Sequence, residues 1–531
     1  MEKEVFELWK ELNPVGAFAQ GLEDCAGGLF IPTPKAVEET LCRISKIQAD
    51  SELERRLLDN FKTSLLHTEP PHIPSTCLWA IFYHMVLEGP AGDHMPDLLE
   101  RVRRMLDSSS EILKDEWPPE IRILAYLEAR GLYIILDSLI SSNPFLKVAV
   151  EELKKRVEDY ADRYRMVGIL KGTYEEIYPL LAEQEVYLRR EEYSEIVKNL
   201  YGYPYAPGEI EERALTWLKE EMKPFAGVLG EISEITGALP EVPAIERSLQ
   251  KIPGEKVGEF LKGLREALLP VVRKNLVEVP EGYRTDLMKT PEYLRPLIPT
   301  AAMTPMGTLT GEPKNIFFYT VDEEATPSDL LLSQVHEEYG HAVHYTDSAL
   351  NLKGENTLLE RIDTTFSLPI SEGISFHREV EFLELLERIQ NGEGGEEEMR
   401  LKEFLERHYP GGFERALVEI SYQVHKWRFI RFLRALSDVR INTGKQSLYQ
   451  FVEWAHRYTS LNREDIFNQI FIFQETPGYA ASYSIGEEAV VKIQKMGEKA
   501  GLDRKEINTE IASRGFLPLD MFLEWFEERY G

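Results

Sequence analysis

Cysteine is almost absent from the chain: Cys25, Cys42 and Cys77 are the only three, an odd number with no C-x-x-C spacing. That excludes a disulfide framework and a thiolate zinc site, and makes a reducing cytoplasm the simplest compartment. Positive charge is also short, with 61 Lys and Arg against 91 Asp and Glu and a formal net charge of −30. Nucleic-acid binding relies on clustered Lys and Arg, so no nucleic-acid partner is expected. No uninterrupted apolar stretch of about eighteen residues occurs, and the start, MEKEVFELWK, has no apolar h-region. Neither membrane spanning nor export is expected. Internal repeats are missing as well, and the one biased tract is the acidic run NGEGGEEE at 391–398.

What the chain does have is length and helical patterning. Its 531 residues, 43% hydrophobic and 29% charged, suffice for a large core and for two lobes. Apolar residues recur at helical spacing among Glu, Lys and Arg in AVEETLCRISKI, YSEIVKNL and GEFLKGLREALLPVVRKNL, so the expected fold class is mainly α. Turn-rich breaks at 201–209, 236–244 and 391–398 read as connectors, the last as a solvated loop. Residues 278 to 314 depart from the pattern, with Pro280, Pro291, Pro296, Pro299, Pro305 and Pro313 beside Gly282, Gly307 and Gly311. So long an irregular segment inside a compact protein is often functional. The division expected is an N-terminal helical region, 1–277, and a C-terminal region, 278–531, that carries the candidate site. The irregular segment runs into NIFFYTVD (315–322), which reads as a strand. An edge strand there would hold an extended peptide by backbone pairing, whereas a core strand would hold no ligand; the sequence leaves both open.

After that strand, QVHEEYGHAVHYTD (334–347) holds three of the eleven histidines. Thr326 as N-cap, Pro327 at the first helical position and Asp329 three after the cap predict a helix start, which puts the histidines well inside a helix. Zinc hydrolysis needs imidazole or carboxylate ligands, an open position for water and a carboxylate base, and this stretch supplies those types. The spacing is unusual. Positions i and i+4 differ by about 40° around an α-helix, but i and i+5 by about 140°, so His336 and His341 share a face only if the helix changes locally. A single-turn π-bulge absorbs one residue, with Gly340 as a suitable place for it. The rival register keeps the helix regular and aligns Glu337, His341 and His344, with Glu338 or His336 as base. A polar helix face without metal is the third reading. Downstream, LPISEGISFHREVEFLELLERIQ (368–390) reads as a helix with Glu372 near its start, 31 residues after His341, where a third ligand would come from. An acid there also suits the helix dipole with no metal.

The expanded motif H-E-x-x-G-H, here HEEYGH, is similar to that of dipeptidyl peptidase III, and GHAVH looks like the continuation found in thimet-type oligopeptidases. More widely, the chain resembles a large group of metallopeptidases catalogued as a domain of unknown function, with landmarks H-E-x-x-P-G-H-H, E-G-W-A-L-Y, P-G-Q-A-L-S-Y-K-I-G and G-x-L-P-L. The corresponding stretches are HEEYGHAV, EGISFH (372–377), PGYAASYSIG (477–486) and GFLPL (515–519), with LNPVGAFAQG (13–22) like that family's start. The first motif is one residue shorter and lacks the Pro, Ala342 stands in place of the second adjacent His, and Ile374 and His377 replace Trp and Tyr. The resemblance implies two mostly α lobes around a channel, a gluzincin architecture with a small β element by the site. It implies Zn2+ held by His336, His341 and Glu372, Glu337 as general base, and a peptide substrate. Tyr483 matches the landmark Tyr and is the expected second donor to the developing oxyanion, while Tyr479 stands where the family has Gln. His344 orients a ligand or is structural. Arg434, Arg440 and Lys445 either anchor a peptide carboxylate or are solvated. Against the peptidase stands a helical peptide-binding or scaffold protein that keeps the fold without catalysis, whose mark would be a lost ligand or base; none is lost. A nonpeptide hydrolase and a homo-oligomer both remain compatible with the sequence.

Overall fold

The computed structural model describes residues 2–114, 116–186, 189–295, 297–298, 300–352 and 357–531. Pro296 and Pro299 of the irregular interval lie outside the described residues. Helices take up 70% of the chain and strands 4%, so the architecture is mainly α. The pattern of GEFLKGLREALLPVVRKNL becomes the helix Val257–Asn275, whose Phe260, Leu261, Leu264, Leu268 and Val271 fall on one buried stripe. The longest helices, Pro207–Thr236 and Gly412–Asn442, pack along each other, with Phe225 stacked on Tyr422 and Phe429. Among the described residues, no helix is long and apolar enough to cross a membrane.

Three apolar cores hold the helices together, and each draws on residues from more than one stretch of chain. The first joins Val5 and Trp9 to Tyr422, Phe432 and Phe526. The second packs Leu261 and Leu264 against Val335, Tyr339, Val343 and Phe382. The third packs Phe82 and Leu132 against Ile316 and Phe318.

The small β element comprises β1 (Ile252–Pro253), β2 (Thr285–Lys289), β3 (Ala301–Met306), β4 (Lys314–Tyr319) and β5 (Glu324–Ala325). β1 pairs with β5, and the other three form a sheet in the order β2-β4-β3, with β2 parallel and β3 antiparallel to β4. The stretch NIFFY is therefore the central strand and not an edge. Its side chains alternate faces, so Phe317 enters the second core while Ile316 and Phe318 enter the third. A strand buried on both faces reads as a continuous apolar run. β2 and β3 are the two edge strands, and β3 keeps Pro305 because an edge strand tolerates a missing donor.

Two local expectations are corrected. The helix Pro327–Gln334 starts where its Thr-Pro signal places it, but Thr326 makes no side-chain cap; Lys251 Nζ donates to its hydroxyl at 2.7 Å, and Trp427 donates to Asp329 at 2.8 Å. The acidic tract is a loop only to Gly395, since Glu396 opens a helix and Glu398 is buried against Lys274 and Asn275.

Candidate metal centre

Residues Val335–Ala342 form a π-helical segment between the α-helices Pro327–Gln334 and Val343–Asn351. Hydrogen bonding from i to i+5 brings residues five apart one above the other, so the expanded spacing becomes a shared face. The rings of His336 and His341 stand 4.9 Å apart, edge to face. Gly340 serves this segment by its small size: a Cβ there would lie 2.3 Å from Ser375 Oγ and 2.5 Å from Ser375 Cα. The segment thus presses directly onto the helix Ser367–Gln390, which carries Glu372. That helix is fixed in turn by a glycine crossing, because a Cβ on Gly373 would lie 2.2 Å from the backbone of Gly486. Gly486 belongs to the helix Ser482–Lys499, so the crossing also brings Tyr483, and Tyr479 in the short turn before it, to the site.

Glu372 Oε2 lies 3.4 Å from His336 Nε2 and 3.3 Å from His341 Nε2. One ligand atom from each residue lies within 4.8 Å of the others, the one such His/Cys/Asp/Glu cluster among the described residues. Atoms held about 2.0–2.1 Å from a zinc ion at tetrahedral angles stand roughly 3.3–3.4 Å apart, so these separations fit the ion. The remaining atoms of the three side chains are committed elsewhere. His336 Nδ1 donates to Glu379 Oε1 at 2.7 Å, and Arg431 grips the same Glu379 with two bonds of 2.7 and 2.8 Å. His341 Nδ1 donates to Ser371 Oγ at 2.8 Å, and the Tyr479 hydroxyl donates to Glu372 Oε1 at 2.6 Å. Glu372 Oε2 is buried with no hydrogen-bond partner. An orphaned carboxylate oxygen facing two imidazole nitrogens is the donor set that a divalent metal satisfies, and the outer contacts fix the orientation of each ligand.

The converging side chains strongly perturb one another. Burial works against charge on His336, yet the neighbouring Glu372 and Glu379 carboxylates prevail and push it up to about 9. Burial likewise opposes ionisation of Glu372, but the two imidazoles hold it far below the usual carboxylate range.

The two neighbouring glutamates part company. Glu337 faces a cavity of about 250 Å³ that it lines with His336, Arg431, Arg434, Tyr479 and Tyr483, and burial raises its pKa. Glu338 is fully buried and bound by Arg265, Gln334 and Tyr283. Thr300, Ala301 and Ala302, at the start of edge strand β3, form another part of the cavity wall. A larger cavity of about 400 Å³ holds none of the three converging residues but shares Glu475 and Thr476 with the smaller one. Of the three basic candidates, Arg440 and Lys445 are tied to Glu211, and Arg434 alone reaches the cavity.

His344 stands outside the cluster, fully buried against Phe516 and Tyr345, so the regular-helix register is not formed. Burial pushes its pKa down from 6.5 to about 3. A folded value below the unfolded one gives stability that is full above about 6.5 and is lost as pH falls toward 3. The group then contributes a slope of about 1.4 kcal/mol per pH unit, roughly 2 kcal/mol between pH 6.5 and 5. Urea unfolding of a His344→Leu protein is expected to show a correspondingly flatter acid limb, and an unchanged pH dependence would mean that His344 does not resist protonation.

Glu379, Arg431 and Ser371 are the supporting residues that spacing alone missed, whereas Tyr479 was named on sequence beside Tyr483. Glu379 had a signal, since it follows Glu372 by seven residues, two turns along one helix face.

No family model matches the chain, and no curated protein matches it. Two solved structures are similar over nearly their whole length. One is described as "a putative lipoprotein of unknown function" from Shewanella oneidensis, with a TM-score of 0.65 at 14% identity, covering 99% of this chain and 98% of that one. The other, "the putative lipoprotein from Colwellia psychrerythraea", has a TM-score of 0.63 at 12% identity and covers 100% and 99%. At these identities the likeness is one of fold.

Proposed function

We propose that the protein is a zinc-dependent metallopeptidase of gluzincin type that cleaves short peptides, with His336, His341 and Glu372 holding the metal and Glu337 as general base. The observation that carries this reading is the unpartnered Glu372 Oε2 facing two Nε2 atoms, in side chains whose other atoms are all bonded outward. The resemblance of HEEYGH, EGISFH and PGYAASYSIG to peptidase landmarks supports it. The three cysteines are free, which fits the reducing cytoplasm proposed for the chain.

When bound, zinc supplies a Lewis acid that eases deprotonation of water and polarises the scissile carbonyl. Glu337, beside His336 on the cavity wall, takes the water's proton and delivers it to the leaving amine. The edge strand β3, whose Ala301 and Ala302 line the cavity, is the element that would pair with an extended peptide. Tyr479 positions Glu372 through its hydroxyl. Tyr483, its ring 6.3 Å from that of His336, is the donor to the developing oxyanion.

The test is metal analysis of the reconstituted protein together with mass-spectrometric mapping of cuts in a mixed peptide library. Chelator-sensitive cleavage at about one zinc per chain is expected, and a fully loaded protein that cuts nothing would sink the reading. The two tyrosines should separate in kinetics. Tyr483→Phe is expected to lower kcat by about 10² to 10³ with zinc content and Tm nearly unchanged. Tyr479→Phe, which frees Glu372, is expected to weaken zinc by about 10- to 100-fold instead. Wild-type kcat in the Tyr483 variant would return that residue to the core.

A further inference from the structure

Two guanidinium groups line the cavity, and only one is neutralised. Arg431 is paired through both Nη groups with Glu379. Arg434, 8% exposed, donates from Nε to the Gln469 backbone oxygen at 3.1 Å and from Nη2 to the Gln469 side chain, and no carboxylate pairs with it among the described residues. Its Cζ sits 4.6 Å from the Phe473 ring and 5.6 Å from the rings of Trp427 and Tyr483. Aromatic faces offset part of the cost of a buried cation. A cation so placed is otherwise expensive unless an anion meets it. Burial and the nearby Arg431 lower its pKa to about 10, so it stays charged at neutral pH.

Resting on the peptidase reading above, we propose that Arg434 binds the terminal carboxylate of the substrate, which makes the site a C-terminal exopeptidase. The span supports a short product. Arg434 Cζ lies 5.6 Å from the centre of the Tyr483 ring, and that centre 6.3 Å from the centre of the His336 ring, two legs that bound the separation from above. At about 3.3–3.6 Å per extended residue, with bonding contacts at each end, one or two residues bridge the distance from the scissile carbonyl to the guanidinium. The cavity, about 250 Å³, is at or below the lower end of small-ligand pockets, which run from about 300 Å³ upward, and so seats a residue or two. The planar fork of Arg434 suits a carboxylate, to which it can offer parallel bonds.

Two measurements test this. In the first, zinc-loaded protein is given matched peptides ending in a free carboxylate or in a carboxamide. Wild type is expected to favour the acid by about 10²-fold or more in kcat/KM, with cuts one or two residues from the end, and Arg434→Met to lose the preference while Arg434→Lys keeps part of it. Equal cleavage of both peptides, or internal cuts, overturns the proposal and leaves the peptidase reading standing. The second measurement needs no turnover: calorimetric titration with 3-phenylpropanoate and with 3-phenylpropanamide, before and after metal removal. Binding of the acid alone, persisting in the metal-free protein and lost in Arg434→Met, is expected. Undiminished binding in that variant overturns the anchor. If no peptide is cut at all, the peptidase reading fails and this titration still decides the role of Arg434.

Discussion

Glu337→Gln is expected to keep its zinc and its melting temperature while kcat falls by about 10⁴, the upper end of what a general base contributes. An amide preserves the volume and the polar contacts of the carboxylate but cannot accept the water's proton. The metal should be undisturbed because Glu337 is not among the three converging residues. Glu338 provides the control. It is the neighbouring residue, yet it is fully buried in a bidentate pair with Arg265. Glu338→Gln should therefore lower stability, by about 1–3 kcal/mol, and leave turnover per folded molecule alone. Assays of kcat, zinc content and thermal unfolding on both variants check the assignment. If Glu337→Gln instead strips the metal while Glu338→Gln abolishes turnover, the roles are reversed.

The separation of these two glutamates shows which parts of the site were legible from the sequence. Periodicity alone puts Glu337 and Glu338 on adjacent positions of one helix and gives no reason to prefer either. The five-residue interval from His336 to His341 was more informative, because only a local π-turn makes it a shared face, and Val335–Ala342 is π-helical. The reason for Gly340 was not legible. Backbone freedom explained it on sequence, whereas its contact with Ser375 is a meeting of two helices 35 residues apart in the chain. The glycine crossing of Gly373 and Gly486 and the grip of Arg431 on Glu379 are of the same non-local kind. Sheet order stayed open on sequence for this reason as well. NIFFY is a strand by composition, but its central place depends on β2 and β3, which the proline-rich interval conceals. Its unbroken apolar run, with both faces buried, was the available clue.

Loss of a ligand should have the second large effect, and it tests the register of the helix directly. His336→Ala removes one of the three proposed ligands and leaves Glu379 and Arg431 paired with each other behind an empty position. Glu372→Gln removes the one anionic member of the proposed ligand set and exchanges a carboxylate facing the two imidazoles for an amide. A catalytic zinc site requires three protein ligands besides its open position, so both variants are expected to lose zinc on dialysis, with affinity down well beyond the 10- to 100-fold typical of a supporting contact. Glu379→Gln calibrates that scale, since it weakens the support of His336 without removing a ligand. His344→Leu should retain zinc fully, because His344 is packed against Phe516 outside the cluster. Metal analysis after dialysis and chelator competition on the four variants reads all of this in one series. Undiminished zinc in His336→Ala, with loss in His344→Leu, would move the metal to the face of Glu337, His341 and His344 and overturn the expanded-helix site.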